Sequence, residues 1–152
     1  MILQLAGLDD FEAVNTLACQ VNDLHAQWRP DIYVHHPEPV PMGLYRELIK
    51  QQLLYVLRSE ERVVAYVTVG CINLSGPGIV TRKVLKLDQI CVDASCRHQG
   101  LGKKIFEALK DLASAWGCTD LQLTCDPHNK AAIALYEGQG MEVKCLQYRL
   151  KL

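Results

Sequence analysis

The sequence lacks the features that mark several large classes of protein. Its net charge is only −1, from 16 basic and 17 acidic residues, and basic residues are not massed anywhere beyond Arg97, Lys103 and Lys104. A nucleic-acid or anionic-membrane partner normally requires a larger basic patch. No apolar run approaches the ~18 residues of a membrane span, and Asp9 and Asp10 interrupt the N-terminal apolar segment before it resembles a signal peptide. We therefore expect a cytoplasmic protein that binds neither nucleic acid nor membrane.

Metal-ligand spacing is also absent, although there are seven cysteines, at positions 19, 71, 91, 96, 118, 125 and 145. No two of them form a Cys-x-x-Cys pair, so no metal is expected. Cys91, Cys125 and Cys145 fall inside apolar strand patterns, which predicts small buried side chains kept reduced in a cytosol. A thiol function at Cys91 or Cys96 is the alternative, because Cys96 adjoins Arg97 and a helix start, the usual setting of reactive cysteines.

Length and periodicity predict one α/β domain over residues 1–152. Apolar spacing indicates strands near 2–6, 53–58, 62–71, 82–93 and 121–125, and helices near 10–28, 42–52, 101–116 and 128–138. Residues 141–152 alternate on two parities that meet near Cys145 and Leu146, which predicts further strand with a bulge or tight turn. The expected fold is a mixed sheet of about six to seven strands flanked by about four helices.

The stretch VLKLDQICVDASCRHQGLGKKIFEALKDLASAW, at 84–116, reads as a strand, a polar loop and an amphipathic helix. The loop contains Arg97-x-x-Gly100-x-Gly102. Free N–H groups and the dipole at a helix start attract anions, so a phosphate is expected there. A Walker loop would need Ser or Thr after its Lys, and a dinucleotide fingerprint would need a third glycine at Ile105. An ordinary helix start is the alternative to a phosphate site.

A second motif, NKAAIALYEGQGM at 129–141, follows about thirty residues later. It resembles the Asn-x-x-Ala-x-x-Leu-Tyr-x-x-x-Gly-Phe segment of the GCN5-related N-acetyltransferase (GNAT) superfamily, with Met141 in place of Phe. The stretch ICVDASCRHQGLGKKIFEALKDLA, at 90–113, resembles the acetyl-CoA signature of the same family. The resemblance covers about residues 60–150. It implies the GNAT fold, in which the parallel strands 82–93 and 121–125 splay apart around acetyl-CoA.

The resemblance also implies which residues bind the cofactor. Backbone N–H groups after Arg97 would hold the pyrophosphate, and the strand at 90–92 would pair with the pantetheine arm and polarise the thioester oxygen. Asn129 would contact the pantetheine arm, and the small side chain of Ala132 would let the helix lie close beside it. The implied cofactor residues are Ile90, Cys91, Val92, Arg97, His98, Gln99, Gly100, Leu101, Gly102, Lys103, Asn129 and Ala132.

Two residues are predicted to move protons. Tyr136 occupies the Leu-Tyr position of the family, which implies a proton donor to the departing thiolate; a packing tyrosine is the alternative. Asp88 lies in an apolar strand, on the expected face of Ile90 and Val92, where a carboxylate requires a task or a partner. We predict that Asp88 binds or deprotonates the amine, directly or through water; a salt bridge or a bulge hydrogen bond is the alternative. His25 and His128 are weaker candidates.

The acceptor site is implied to lie among the first two helices, their loop and the C-terminal strands, with Trp28, Tyr33 and Tyr148 as substrate residues. The expected function is N-acetyl transfer from acetyl-CoA to a primary amine, by direct attack in a ternary complex, with a small-molecule acceptor. A protein N-terminal or lysine acetyltransferase is one alternative, and a non-catalytic acyl-CoA sensor is another. The resemblance also implies a homodimer formed through the C-terminal strands.

Overall fold

The computed structural model describes residues 2–152, which form five strands and four helices. The strands are β1 (Leu3–Leu5), β2 (Leu54–Ser59), β3 (Arg62–Gly76), β4 (Ile79–Val92) and β5 (Asp120–Leu123). The helices are α1 (Phe11–Trp28), α2 (Met42–Lys50), α3 (Leu101–Ala115) and α4 (Lys130–Gly138). Short 3-10 turns at Leu8–Asp10 and Ala94–Cys96 precede α1 and the α3 loop.

The strands lie in one sheet in the order β1-β2-β3-β4-β5. The first four strands are antiparallel to their neighbours, and β5 is parallel to β4, as the sequence predicted. The turn predicted near Gly76–Gly78 joins β3 to β4, and Gly78 adopts a φ of +74°, which favours glycine. Both strands run further into this hairpin than periodicity indicated, because their ends are exposed and carry no apolar alternation.

A β-bulge lies in the middle of β4. Thr68 of β3 faces Gln89, whereas the next residue, Val69, faces Leu87, so Asp88 is the extra residue of β4. The bulge shifts the alternation by one residue. As a result Leu87 before it and Ile90 after it pack on the same side of the sheet.

Helices cover both faces of the sheet. On one face, α3 buries Leu101, Ile105, Phe106 and Leu109 against β3 and β4, and α4 packs beside it with Leu135 and Tyr136. On the other face, α1 and α2 bury Val14, Leu17, Ala18 and Tyr45 against Val56, Tyr66 and Cys91. The loop before α3 therefore starts at the edge of a sheet that is packed on both sides.

The predicted C-terminal strands are not present, so the expectation of six to seven strands is wrong. Residues 141–152 have no regular secondary structure, and residues 142–152 are exposed. No backbone hydrogen bond joins 142–152 to any other part of residues 2–152. An alternating segment forms a strand only when a neighbouring strand pairs with it, and the segment does not reach a sheet edge of its own chain.

Candidate active site

The two parallel strands are paired along only part of their length. Residues Val84–Leu87 of β4 pair with Asp120–Leu123 of β5, and β4 continues to Val92 without a partner on that side among residues 2–152. The predicted cofactor residues Ile90, Cys91 and Val92 lie on this unpaired part. Its free N–H and C=O groups form a strand edge to which an extended ligand can hydrogen-bond.

The α3 helix begins next to this open edge, with no side-chain cap. Gly100 is its N-cap residue and has a φ of +77°, and no side chain of residues 2–152 bonds to the first turn. His98 is also left-handed, with a φ of +61°. The first-turn N–H groups, from Leu101 to Lys103, are therefore available to an anion. Gly102 instead faces α4, where it contacts Leu135.

Two contacts that sequence reasoning missed hold the loop before α3. Asp93 accepts hydrogen bonds from the Ser95 hydroxyl and N–H, at 2.6 and 2.8 Å, and from Arg62 at 2.6 Å. The Ser95 hydrogen bonds, together with Arg62, lower the pKa of the Asp93 carboxyl. Gln20 of α1 accepts from the Ala94 N–H at 2.9 Å. An Asp-x-Ser turn at a strand end is a recognisable capping signal, whereas the Gln20 contact has no local signature.

A cleft of about 300 Å³ separates α1 from this loop. Its lining residues are Gln20, Asp23, Leu24, Gln27, Ala94 and Arg97. The Arg97 Nε donates to the Val92 carbonyl at 3.0 Å, which holds the guanidinium at the end of β4. A larger groove of about 590 Å³ lies beyond Asp93, but its arginines are already paired with Asp10 and Asp93. We therefore place the site at the smaller cleft, which Arg97 of the first motif lines.

The second motif places Asn129 and Tyr136 on α4. The Asn129 side-chain oxygen accepts from the Ala132 N–H at 3.2 Å, so Asn129 caps the helix and its amide N–H groups are free to donate. The Tyr136 ring packs 5.5 Å from the Phe106 ring, and its hydroxyl makes no hydrogen bond within the part of the chain that the structure describes. Burial raises the pKa of Tyr136 to about 12. The phenol is therefore protonated at neutral pH and is able to donate a proton.

Asp88 does not share a face with Ile90 and Val92, so that part of the sequence interpretation is wrong. Its carboxylate lies 3.6 Å from the position that a Cβ on Gly70 would take, on the side covered by α1 and α2. The bulge is the physical reason, because it breaks the alternation that the prediction assumed. Lys86 lies 3.3 Å from the carboxylate, and 45% of the Asp88 side chain is exposed. Asp88 thus has the salt-bridge partner that the alternative interpretation named.

Trp28 and Tyr33 meet around a histidine at the end of α1. The His25 ring lies 5.8 Å from Trp28 and 5.0 Å from Tyr33. Burial lowers the pKa of His25, and the charge of Asp126 partly offsets this effect. The third predicted substrate residue, Tyr148, is 87% exposed, and no ring contact or hydrogen bond of residues 2–152 joins it to this group.

A network of ion pairs lies next to the end of α1. Arg29 binds Asp31 through two hydrogen bonds of 3.0 Å and lies 3.6 Å from Asp126. Asp31 also accepts from Arg149 at 2.6 Å. This ion-pair network joins the α1–α2 loop, the β5–α4 loop and the C-terminal segment. These segments are far apart in sequence, so no local pattern could have predicted it.

Comparison with known proteins identifies relatives. The profile of the acetyltransferase (GNAT) family matches residues 19–141. The yeast (Saccharomyces cerevisiae) N-alpha-acetyltransferase 30 is 27% identical over 106 residues, which are 68% of this chain and 60% of the relative. The Arabidopsis thaliana glucosamine 6-phosphate N-acetyltransferase is 32% identical over 87 residues, which are 53% of this chain and 56% of the relative. The matches thus span little more than half the length of these curated relatives.

Solved structures extend the comparison to the whole fold. A mutant of the BH1408 protein from Bacillus halodurans is 26% identical and superposes with a TM-score of 0.94, covering 100% of this chain and 99% of that one. The aminoglycoside N-acetyltransferase AAC(6')-Iy, solved in complex with CoA, shares the fold at a TM-score of 0.70 and 15% identity, over 99% of both chains. No cluster of side chains within residues 2–152 could hold a metal ion, and no helix there has the length and hydropathy of a membrane span. From its family profile and its fold, this chain belongs to the GNAT acetyltransferase family.

Proposed function

We propose that this protein transfers an acetyl group from acetyl-CoA to a primary amine, by direct attack of the amine in a ternary complex. One observation carries the proposal: the uncapped N-terminus of α3 follows the unpaired edge of β4 after only the short loop 93–100. One continuous surface therefore offers N–H donors for phosphates and then a strand edge for the amides of a pantetheine arm. The CoA complex of the AAC(6')-Iy structure, which has the same fold, supports this choice of co-substrate.

In this proposal the chain binds acetyl-CoA through three parts of the site. The N–H groups of residues 98–103 and the charges of Arg97 and Lys103 bind the pyrophosphate. The backbone at 90–92 pairs with the pantetheine arm and directs an N–H at the thioester oxygen, where negative charge develops. Asn129 donates a hydrogen bond from its free amide N–H to the other side of the pantetheine arm.

Tyr136 and Asp88 are proposed to move the protons. The neutral Tyr136 phenol donates to the departing thiolate, whose ordinary pKa is ~8.5. Asp88 attracts the protonated amine, which displaces Lys86 from its carboxylate, and removes a proton directly or through water. His25 is the rival base, because its lowered pKa keeps it neutral and no side chain of residues 2–152 hydrogen-bonds to its ring.

The acceptor is proposed to be a small molecule. The plant relative is named for a sugar amine, which supports this choice. The yeast relative is named for N-alpha acetylation, which keeps a peptide N-terminus as the alternative acceptor. The aromatic group of His25, Trp28 and Tyr33 forms an apolar wall on which either acceptor could pack.

A thermal melt with and without acetyl-CoA is the first test. Acetyl-CoA at ~100 times its Kd should stabilise the protein by ~2.7 kcal/mol, or on the order of 5–10 °C for a chain of this size. NAD and ATP at the same concentration should give no shift. If acetyl-CoA and longer acyl-CoAs also gave none, the proposed function would be wrong.

Tyr136→Phe then separates an enzyme from a non-catalytic sensor. We expect turnover of an acetylated amine, followed by chromatography, to fall by about 10²-fold or more, with the acetyl-CoA melt shift unchanged. Unchanged turnover would show that Tyr136 is a packing residue. Absence of turnover in the unmodified protein, across sugar amines, polyamines and peptide N-termini, would favour the sensor.

We further propose that the protein forms a homodimer through residues 141–152, here called the arm. Leu146, Tyr148, Leu150 and Leu152 stand at every second position of the arm and are strongly exposed. The polar residues between them include Arg149, which turns toward its own chain to bind Asp31. Apolar side chains exposed at every second position are explained when a second copy of the chain covers them.

A further inference from the structure

Two cysteines that are 47 residues apart in sequence meet at one end of the sheet. Cys71 lies on β3, and Cys118 lies between α3 and β5. Their Sγ atoms are 4.0 Å apart. The other five cysteines have no thiol neighbour within residues 2–152: Cys19, Cys91 and Cys125 contact backbone carbonyl oxygens, Cys96 contacts the Ser95 hydroxyl, and Cys145 makes no hydrogen bond.

The sheet register explains why these two thiols meet. Cys71 pairs with Leu85 of β4, and Leu85 pairs with Leu121 of β5. Cys118 comes just before that strand, and its own N–H donates to the Ala113 carbonyl at 2.8 Å. Both cysteines therefore stand on hydrogen-bonded backbone, and forming the bond requires their Sγ atoms to approach from 4.0 Å to about 2.05 Å.

The surroundings of the pair allow reaction with a small oxidant. Cys71 is exposed, whereas Cys118 is half-buried. Burial raises the pKa of Cys118, the neighbouring Cys71 adds to the effect, and Lys83 acts against it. Exposed Cys71 is thus the thiol that a solution disulfide reaches first, and Cys118 is held behind it as the resolving thiol.

We propose that Cys71 and Cys118 form a reversible disulfide by exchange with a low-molecular-weight disulfide such as glutathione disulfide. The Cys71 thiolate attacks one sulfur, and the first glutathione leaves as a thiolate. The Cys118 thiolate then attacks the mixed disulfide at Cys71 and releases the second glutathione. Two protein thiols are oxidised, one glutathione disulfide is reduced to two glutathiones, and the two protein protons pass to the leaving thiolates.

The bond would link β3 to the start of β5 across β4. It would lie at the end of the sheet where β4 and β5 are paired, away from the open edge at 88–92. A disulfide that closes a loop of this length constrains the unfolded chain, so Tm should rise on the order of 5–10 °C. The acetyl-CoA melt shift should persist in the oxidised protein, because no proposed cofactor residue moves.

The test is to incubate the folded protein with glutathione disulfide and to count free thiols. We expect a fall from seven to five thiols, a mass loss of about 2 Da after removal of glutathione, and one cross-linked peptide joining Cys71 to Cys118. The rise in Tm should disappear with dithiothreitol. Cys71→Ser and Cys118→Ser should each prevent both the cross-link and the rise in Tm, while melting like the unmodified protein under reducing conditions.

Cys145→Ser is the matched control, because it removes an exposed cysteine that has no neighbouring thiol. It should leave the cross-link and the rise in Tm intact. Retention of all seven thiols, or a mixed disulfide on Cys71 that Cys118 does not resolve, would overturn the proposal. A covalent dimer that depends on Cys145 and not on Cys118 would overturn it as well.

Discussion

Gly102 of α3 lies so close to Leu135 of α4 that a Cβ at position 102 would stand 2.9 Å from the Leu135 Cδ2 atom. Real Cβ atoms do not approach other carbons this closely, so the glycine sets the distance between the two helices. The α3 helix carries the proposed phosphate site, and α4 carries Asn129 and Tyr136. The contact therefore couples the two motifs that together define the site.

Gly102→Ala should weaken acetyl-CoA binding. Alanine favours the helix by up to about 1 kcal/mol, but overpacking against Leu135 costs about 1–3 kcal/mol unless that side chain turns aside. We expect a small loss of stability and about a fivefold loss of affinity, which corresponds to ~1 kcal/mol. Calorimetric titration with acetyl-CoA measures the affinity. Gly43→Ala is the control, since no atom lies within 4 Å of its added Cβ.

The double variant Gly102→Ala with Leu135→Ala should recover affinity, because the second change removes the colliding methyl groups. It should also lose about 2 kcal/mol or more of stability, since Leu135 packs against the core. Wild-type affinity in Gly102→Ala alone would show that the contact between α3 and α4 does not position the cofactor residues.

Substitutions at Asp88 and His25 separate the two candidate bases. Asp88→Asn should lower kcat at least tenfold without changing the acetyl-CoA melt shift, because a general base contributes ~10²–10⁴-fold. Lys86→Met is the matched control: it removes the partner of Asp88 and keeps the carboxylate, so turnover should persist. Steady-state kinetics with the best amine measure both variants.

A pH profile of kcat/KM shows whether His25, rather than Asp88, is the base. Burial lowers the pKa of His25, so the ring is neutral at pH 7 and becomes charged only below its ordinary pKa of ~6.5. If His25 were the base, kcat/KM would fall as pH decreases through that region, and His25→Asn would abolish this limb together with most of the activity. Near-normal rates in Asp88→Asn combined with that result would transfer the role to His25.

The parts of the site that sequence predicted are those encoded by contiguous residues. The strand, loop and helix around Arg97 and the cap of α4 at Asn129 each follow from local patterning, and the structure forms all of them. Family resemblance then joined these two segments into one site. Their contact through Gly102 and Leu135 was not predicted, because the packing of two helices depends on the whole fold.

The incorrect predictions, on the face of Asp88 and on the C-terminal strands, also have physical causes. Asp88 was assigned to the wrong face because the β4 bulge depends on pairing with β3, which single-strand alternation does not report. The arm has a strand pattern but forms no strand, because strand structure requires a partner that residues 2–152 do not supply. The Asp31–Arg149 and Arg29–Asp126 ion pairs and the Cys71–Cys118 pair join residues distant in sequence, for which no spacing rule exists.

Asp93→Asn tests the hydrogen bonds that hold the loop before α3. The folded-state pKa of Asp93 lies below its unfolded value, which is ~3.9. Its contribution to stability is therefore complete above about pH 4 and is lost as pH falls further, through the folded pKa. We expect Asp93→Asn to lower the free energy of unfolding by about 1–2 kcal/mol at pH 7, with a smaller difference at pH 3.

Urea unfolding of both proteins at the two pH values measures this difference. Asp111→Asn is the control, because Asp111 is exposed and makes no hydrogen bond or ion pair within residues 2–152. It should match the unmodified protein at both pH values. A pH-independent difference for Asp93→Asn would mean that its hydrogen bonds matter but the charge does not.

The arm predicts which substitutions control assembly. Leu150 is one of the exposed apolar residues of the arm and Gln147 is an exposed polar residue between two of them, so a lysine at each position adds the same charge but removes an apolar side chain only at position 150. Leu150→Lys should convert the dimer to a monomer of about 17.1 kDa, as should a chain that ends at Met141. Gln147→Lys should leave the dimer intact. Light scattering after size exclusion, at micromolar concentrations, distinguishes these masses.

Acetyl-CoA melts of the same variants separate assembly from cofactor binding. The proposed cofactor residues lie between 90 and 132, so a chain without its arm should keep the acetyl-CoA shift even if its Tm is lower. Lost turnover with a retained shift would indicate that the partner's arm completes the acceptor site, in agreement with the exposed position of Tyr148. A monomeric unmodified protein, or a dimer that survives loss of the arm, would contradict the proposed interface, because its apolar side would then be open to water.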